Sequence, residues 1–265
     1  MKKILCLALS LLLALSLFAC AKEEPVETAP PTEPSTEPST EATEPPTEPT
    51  TLPTEPPKAP QHSGLREDGS FDEGTWFIGD SMTCILINNY LRPNGLLGDA
   101  NYTAKYGEHI TAFFGEQIMD PYYGYKCVFR PEHEGMHYYE VAEALGEQVT
   151  AVYMMWGTNF TWDAYADAYI EIVDYLLETC PNATIHLQLI PWGYDKYVKY
   201  DTVNEWIWEA YAHYQQLGEE RVFLIDTYHA IGKNNDEGYI HLNDKGNENW
   251  YNAIVDHARI NELVQ

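Results

Sequence analysis

The sequence predicts an α/β domain, a parallel sheet between two layers of helices, carried behind an export signal and a proline-rich spacer. Three observations predict it. Apolar runs of strand length alternate with helical periodicity over residues 61–265. Those runs are apolar throughout, as strands covered on both faces must be. Residues 21–60, by contrast, have a composition that cannot form a packed domain.

The elements follow in order. Residues 76–78 (Trp-Phe-Ile) are a strand that stops at Gly79-Asp80-Ser81-Met82, and a helix is predicted over 82–90. Residues 95–147, rich in Tyr, Gly, His and Pro, are expected to hold one strand and long loops. Residues 148–156 (QVTAVYMMW) read as a buried strand. Thr161 is the predicted N-cap of the next helix, which places Trp162, Tyr165, Tyr169, Ile172, Val173, Leu176 and Leu177 on one face before Pro181. Residues 184–190 form a strand, 201–217 a helix and 222–225 a strand. An amphipathic helix over 243–263 closes the chain through Trp250, Ile254, His257 and Ala258. Such alternation implies right-handed crossovers with helices on both faces. Functional sites in such sheets lie at the carboxyl ends of strands, where Ser81 and Gly157-Thr158-Asn159 both fall.

The amino-terminal residues point outside the cytoplasm. Lys2 and Lys3 precede an apolar run too short to span a bilayer comfortably, which is the pattern of a secretion signal. The segment ends Leu17-Phe18-Ala19-Cys20, which resembles a bacterial lipobox. That resemblance implies cleavage before Cys20, lipidation of its thiol and a lipid anchor in the bacterial cell membrane; cleavage near Ala19 without lipid is the alternative. Residues 21–60 hold twelve of the seventeen prolines and nine Glu in an irregular Thr-Glu-Pro repeat, a solvated, semi-extended spacer. Forty such residues reach on the order of 100 Å at ~3 Å each, enough to lift a domain from a membrane into a cell wall.

Charge and cysteines narrow the partners. The chain carries −26; Lys2, Lys3, Lys22 and Lys58 against nine Glu make −5 of that over residues 1–60, which leaves −21 for the domain. Nucleic acid and anionic lipid surfaces are disfavoured by that sign. Cys84, Cys127 and Cys180, with Cys20, lack metal-site spacing. His109, His133 and His137, with Glu132 and Glu134, form a weak metal-like cluster outside any clear helix, so no metal and no cofactor is expected.

The chemistry concentrates at Ser81. A strand that breaks at glycine into a helix leaves this serine beside free backbone N–H groups, a setting for a nucleophile whose reaction passes through an oxyanion. In combination, Phe77-Ile78-Gly79-Asp80-Ser81, Gly107 in Lys105-Tyr106-Gly107-Glu108, Gly157-Thr158-Asn159 and His241 in Tyr239-Ile240-His241-Leu242-Asn243 resemble, in order, the four blocks of the SGNH (GDSL) hydrolases. The resemblance covers about residues 75–265 and implies a three-layer α/β/α, flavodoxin-like sandwich. It implies Ser81 as nucleophile, His241 as base, and the Ser81 N–H, Gly107 N–H and Asn159 amide as the oxyanion hole. Two positions depart from the pattern. Phe160 replaces an Asp after Asn159, and Gly238 stands three residues before His241 where the family carries its acid. Asp236 or Glu237 would reach the imidazole through a one-residue insertion; otherwise a backbone carbonyl orients a Ser–His dyad.

The resemblance and the leader together imply a surface serine esterase that removes acetyl or other acyl groups from an acylated wall or extracellular carbohydrate. A catalytically impaired module that binds glycan or protein is the alternative, and an O-acyltransferase a third. Aromatics in expected loops, Tyr122, Tyr123, Tyr125, Trp192 and Tyr194, suit stacking on sugar rings as well as packing on the sheet edge.

Overall fold

Six strands form one sheet in the order β3-β2-β1-β4-β5-β6. They are β1 (Thr75–Gly79), β2 (Asn101–Lys105), β3 (Cys127–Phe129), β4 (Ala151–Met155), β5 (Thr184–Gln188) and β6 (Val222–Ile225). The computed structural model describes residues 61–115, 127–159, 165–191, 200–232 and 241–264. The signal, the spacer and Cys20 lie outside the described residues. All neighbouring strands run parallel except β3, which pairs antiparallel with β2 at the edge. Without β3, the parallel strands taken in chain order run 2-1-3-4-5, the flavodoxin-like sequence whose order reverses between the first and third strands. Here those strands are β1 and β4.

Helices cover both faces, which is why β1, β4 and β5 are buried at every residue. On one face α1 (Ser81–Ile85), continued by a π-helical turn over Leu86–Leu91, packs with α7 (Asp244–Ile260), and α6 (Thr227–Ile231) packs on α7. On the other, α4 (Tyr165–Thr179) packs on α5 (Tyr200–Leu217), and α3 (Tyr138–Leu145) packs on α4 and on the short α2 (Ala112–Gly115).

Register builds the centre of the sheet. Tyr102, Phe77, Tyr153, His186 and Phe223 stand at matched positions on β2, β1, β4, β5 and β6. Four of these rings stack in sequence: Phe77 on Tyr153 at 5.0 Å, Tyr153 on His186 at 4.6 Å, His186 on Phe223 at 5.6 Å. Arg92 and Arg130 lie over the Tyr102 ring. Aromatic pairs of this kind contribute about 0.5–1.5 kcal/mol each beyond the area they bury. The row also holds the incoming chain: His186 Nε2–H donates to the His62 carbonyl (3.2 Å) and Tyr153 Oη to the Ser63 carbonyl (2.7 Å). Burial pushes the His186 pKa down to about 3, so the ring is neutral, with its proton on the donating Nε2. His257 of α7 packs edge-on against it (5.4 Å) and is likewise pushed down, to about 4.

The structure differs from the sequence expectations in several places. Residues 95–147 hold two strands and several helical segments rather than one strand. The sheet is not wholly parallel, because three-residue β3 is too short to show a period and closes the edge antiparallel. β4 starts at Ala151, not at 148, since Gly146–Gln148 forms a 3₁₀ turn. Asn243 caps α7, accepting from the Gly246 N–H, instead of opening it. Thr161 and Trp162 lie outside the described residues.

Candidate active site

Ser81 is the first residue of α1, directly beyond β1, and Gly79 makes the break possible. A Cβ at Gly79 would lie 2.2 Å from the Met155 carbonyl oxygen of the neighbouring strand. Only glycine lets β1 approach β4 so closely at this point. Asp80 then turns the chain. Its Oδ1 accepts from the Met82 N–H (3.0 Å), capping α1, and its Oδ2 accepts from the Thr158 N–H (3.2 Å) and Thr158 Oγ1 (2.7 Å). Asp80 is fully buried, so desolvation raises its pKa while the Thr158, Met82 and Gly157 donors pull it back. This carboxylate thus clamps the turn after β1 to the turn after β4, across the point where strand order reverses.

Side chains also complete the strand ends around that point. Tyr169 Oη accepts from the Trp156 N–H and donates to its carbonyl (3.0 and 2.8 Å). Asn204 does the same for Ile190 with its amide (2.7 and 3.1 Å). Thr227 Oγ1 donates to the Leu189 carbonyl, and Trp250 Nε1 donates to buried Gln188 (2.7 Å). Backbone groups that leave the ladder are therefore satisfied without water, and the carboxyl edge is held rigidly.

The structure brings four sequence-predicted residues together on this edge. His241 Nε2 lies 3.2 Å from Ser81 Oγ, although 160 residues separate them. Asn159, just beyond β4, donates its side-chain amide to the Glu108 carbonyl (2.9 Å). Glu108 ends a tight turn closed by its N–H, which donates to the Lys105 carbonyl (3.4 Å), with Gly107 at positive φ (72°). The Tyr106 ring, in the same turn, meets the His241 ring edge to face at 5.5 Å. A hydroxyl within hydrogen-bond reach of an imidazole is a pairing from which a base can take the hydroxyl proton.

Asp236, Glu237, Gly238, Phe160, Trp192, Tyr194, Tyr122, Tyr123 and Tyr125 lie outside the described residues. His109 bonds Thr111, His133 is buried behind a surface cleft, and His137 stacks on Tyr139. Sequence reasoning missed the Asp80–Thr158 clamp, although both residues lie inside motifs it singled out. It also missed Tyr106 and Glu108, for which no spacing gives a signal.

No protein-family model matches the chain, and no curated protein matches it either. Solved structures do. A family two carbohydrate esterase from Clostridium thermocellum in complex with cellohexaose superposes with a TM-score of 0.50 at 16% identity, over 71% of this chain and 64% of that one. An active-site mutant of a family two carbohydrate esterase from the same organism gives 0.50 and 16%, over 70% and 63%. The chain thus spans less than two thirds of the length of either. A family 3 carbohydrate esterase from Talaromyces cellulolyticus aligns over 71% of this chain and 97% of its own at 17% identity, with a TM-score of 0.42. The chain shares its fold with the two Clostridium thermocellum esterases, and it is the α/β/α fold that the SGNH resemblance implies. The flavodoxin-like sheet order agrees with that fold.

Proposed function

We propose that the chain is a serine esterase of the SGNH type that removes acyl groups, acetyl foremost, from a carbohydrate. The observation that carries this reading is the 3.2 Å approach of His241 Nε2 to Ser81 Oγ at the strand-order reversal. A serine hydroxyl alone is a poor nucleophile at neutral pH; an imidazole in reach makes it a competent one. Ser81 Oγ attacks the ester carbonyl carbon while His241 Nε2 takes the hydroxyl proton. Negative charge gathers on the carbonyl oxygen, toward which the Ser81 and Gly107 N–H groups and the Asn159 amide donate. Collapse breaks the bond to the sugar oxygen, which leaves with the proton from His241. Water, deprotonated by the same imidazole, then releases the acid and restores Ser81.

The carbohydrate class is supported by the fold shared with an esterase that binds cellohexaose, and by the export signal and spacer. On this reading Cys20 carries the lipid that anchors the chain outside the cell, and Asp236 or a backbone carbonyl orients His241. The test is a fluorophosphonate added to the full chain, followed by intact mass. One adduct that vanishes in Ser81→Ala supports an activated serine; no adduct on folded protein sinks the esterase and leaves a glycan-binding module.

A further inference from the structure

Glu108 is a buried carboxylate beside the site that the chemistry above does not use. Its side chain is 1% exposed. Burying such a charge is costly unless it is fully partnered. Its partners are specific: Tyr138 Oη of α3 donates to Oε2, and Lys105 Nζ at the end of β2 lies 3.5 Å from Oε1. Both belong to the packed scaffold. The residue they hold is the last of the turn that carries Gly107, and its own carbonyl receives the Asn159 amide.

Two physical consequences follow. A backbone carbonyl can only accept, so the nitrogen of Asn159, not its oxygen, must face Glu108. The carboxamide is planar, so that bond, together with the side chain's tether to the backbone, constrains the plane of the group and with it the direction of its second N–H. The same turn sets the Gly107 N–H and seats Tyr106 against His241. One anchor therefore governs the donors and the back of the base together.

We propose that Glu108 is the positioning residue of the site: tied to Tyr138 and Lys105, it fixes the 105–108 turn and through it orients Asn159, Gly107 and His241. This rests on the esterase reading for its catalytic consequence, though the orientation of Asn159 is measurable by itself. The test compares Glu108→Gln, Tyr138→Phe, Asn159→Ala and the doubles in the full chain, with 4-nitrophenyl acetate as substrate. Displacing oriented donors by an ångström costs about a hundredfold in favourable cases, so Glu108→Gln and the milder Tyr138→Phe should lower kcat by roughly tenfold to a hundredfold with KM little changed. On an Asn159→Ala background the same changes should cost less than they do in wild type, because the part of their effect that passes through Asn159 is already lost. Independent, multiplying losses, a rise in KM with kcat intact, or unchanged kinetics would overturn the proposal. If wild type neither hydrolyses the ester nor takes a fluorophosphonate, the esterase reading fails separately. The proposal is then decided by NMR exchange of the Asn159 side-chain amide hydrogens, slow in wild type and fast in Glu108→Gln if it holds, equally slow in both if it does not.

Discussion

Across the middle of the sheet, Phe77, Tyr153, His186 and Phe223 stack on four neighbouring strands, while a few residues further on the same strands present Asp80, Ser81, Thr158 and Asn159. The row is built by register. Each ring touches the next because parallel strands align equivalent positions, and the stabilisation is spread over many similar contacts. The carboxyl edge is built by a few polar contacts between residues 78 and 160 apart in the chain. Redundant apolar packing tolerates local loss and sets stability; unique polar contacts tolerate none and set chemistry. The two regions should therefore separate under mutation.

The largest effect belongs to the edge. Ser81→Ala or His241→Ala should lower kcat/KM by about 10⁴, some 5 kcal/mol of transition-state stabilisation, with Tm nearly unchanged; steady-state kinetics and a melting curve together check this. The reverse pattern is expected in the row. Tyr153→Ala, at a fully buried position, should cost about 3–5 kcal/mol of stability by chemical denaturation while the surviving folded fraction keeps its specific activity. Asp80→Asn joins the two regions and so sharpens the comparison. It loses an acceptor for the Thr158 donors, and about 1–3 kcal/mol of stability should go together with activity. If stability falls and the rate does not, the clamp is structural alone.

A further effect is set by pH in the row. His186 and His257 have folded pKa values pushed down to about 3 and about 4, below the value of 6.5 in the unfolded chain. Between pH 6.5 and 4 the unfolded chain therefore binds more protons than the folded one. Stability is full above pH 6.5 and is lost as pH falls, by up to about 1.4 kcal/mol per group per pH unit. His186→Phe should flatten this slope by about half in denaturant titrations at pH 7, 6 and 5; an unchanged slope would mean that other groups dominate.

Legibility divides along the same line. The buried strands at β1, β4, β5 and β6, and the helices α4, α5 and α7, were readable because continuous apolar runs and a 3.6-residue period repeat over many positions. Ser81, Asn159 and His241 were readable from motif order. Residues 95–147 were not: β2 and β3 are short and half-exposed, and α2 is a single turn, so no period accumulates. Glu108 was unreadable in a stricter sense, since an isolated Glu beside a glycine looks like any surface turn.

By itself, then, the sequence determined the alternation of strands and helices, the glycine break before Ser81 and the residue types of the candidate site, all of them properties of neighbours in the chain. Only the tertiary structure decided that His241 meets Ser81, that Asp80 clamps Thr158 and that a buried Glu108 holds the turn beside Asn159. The reason is physical. Local patterns follow from backbone geometry and solvation residue by residue, whereas a single hydrogen bond between distant segments exists only once sheet order, register and crossovers have brought their ends to one edge.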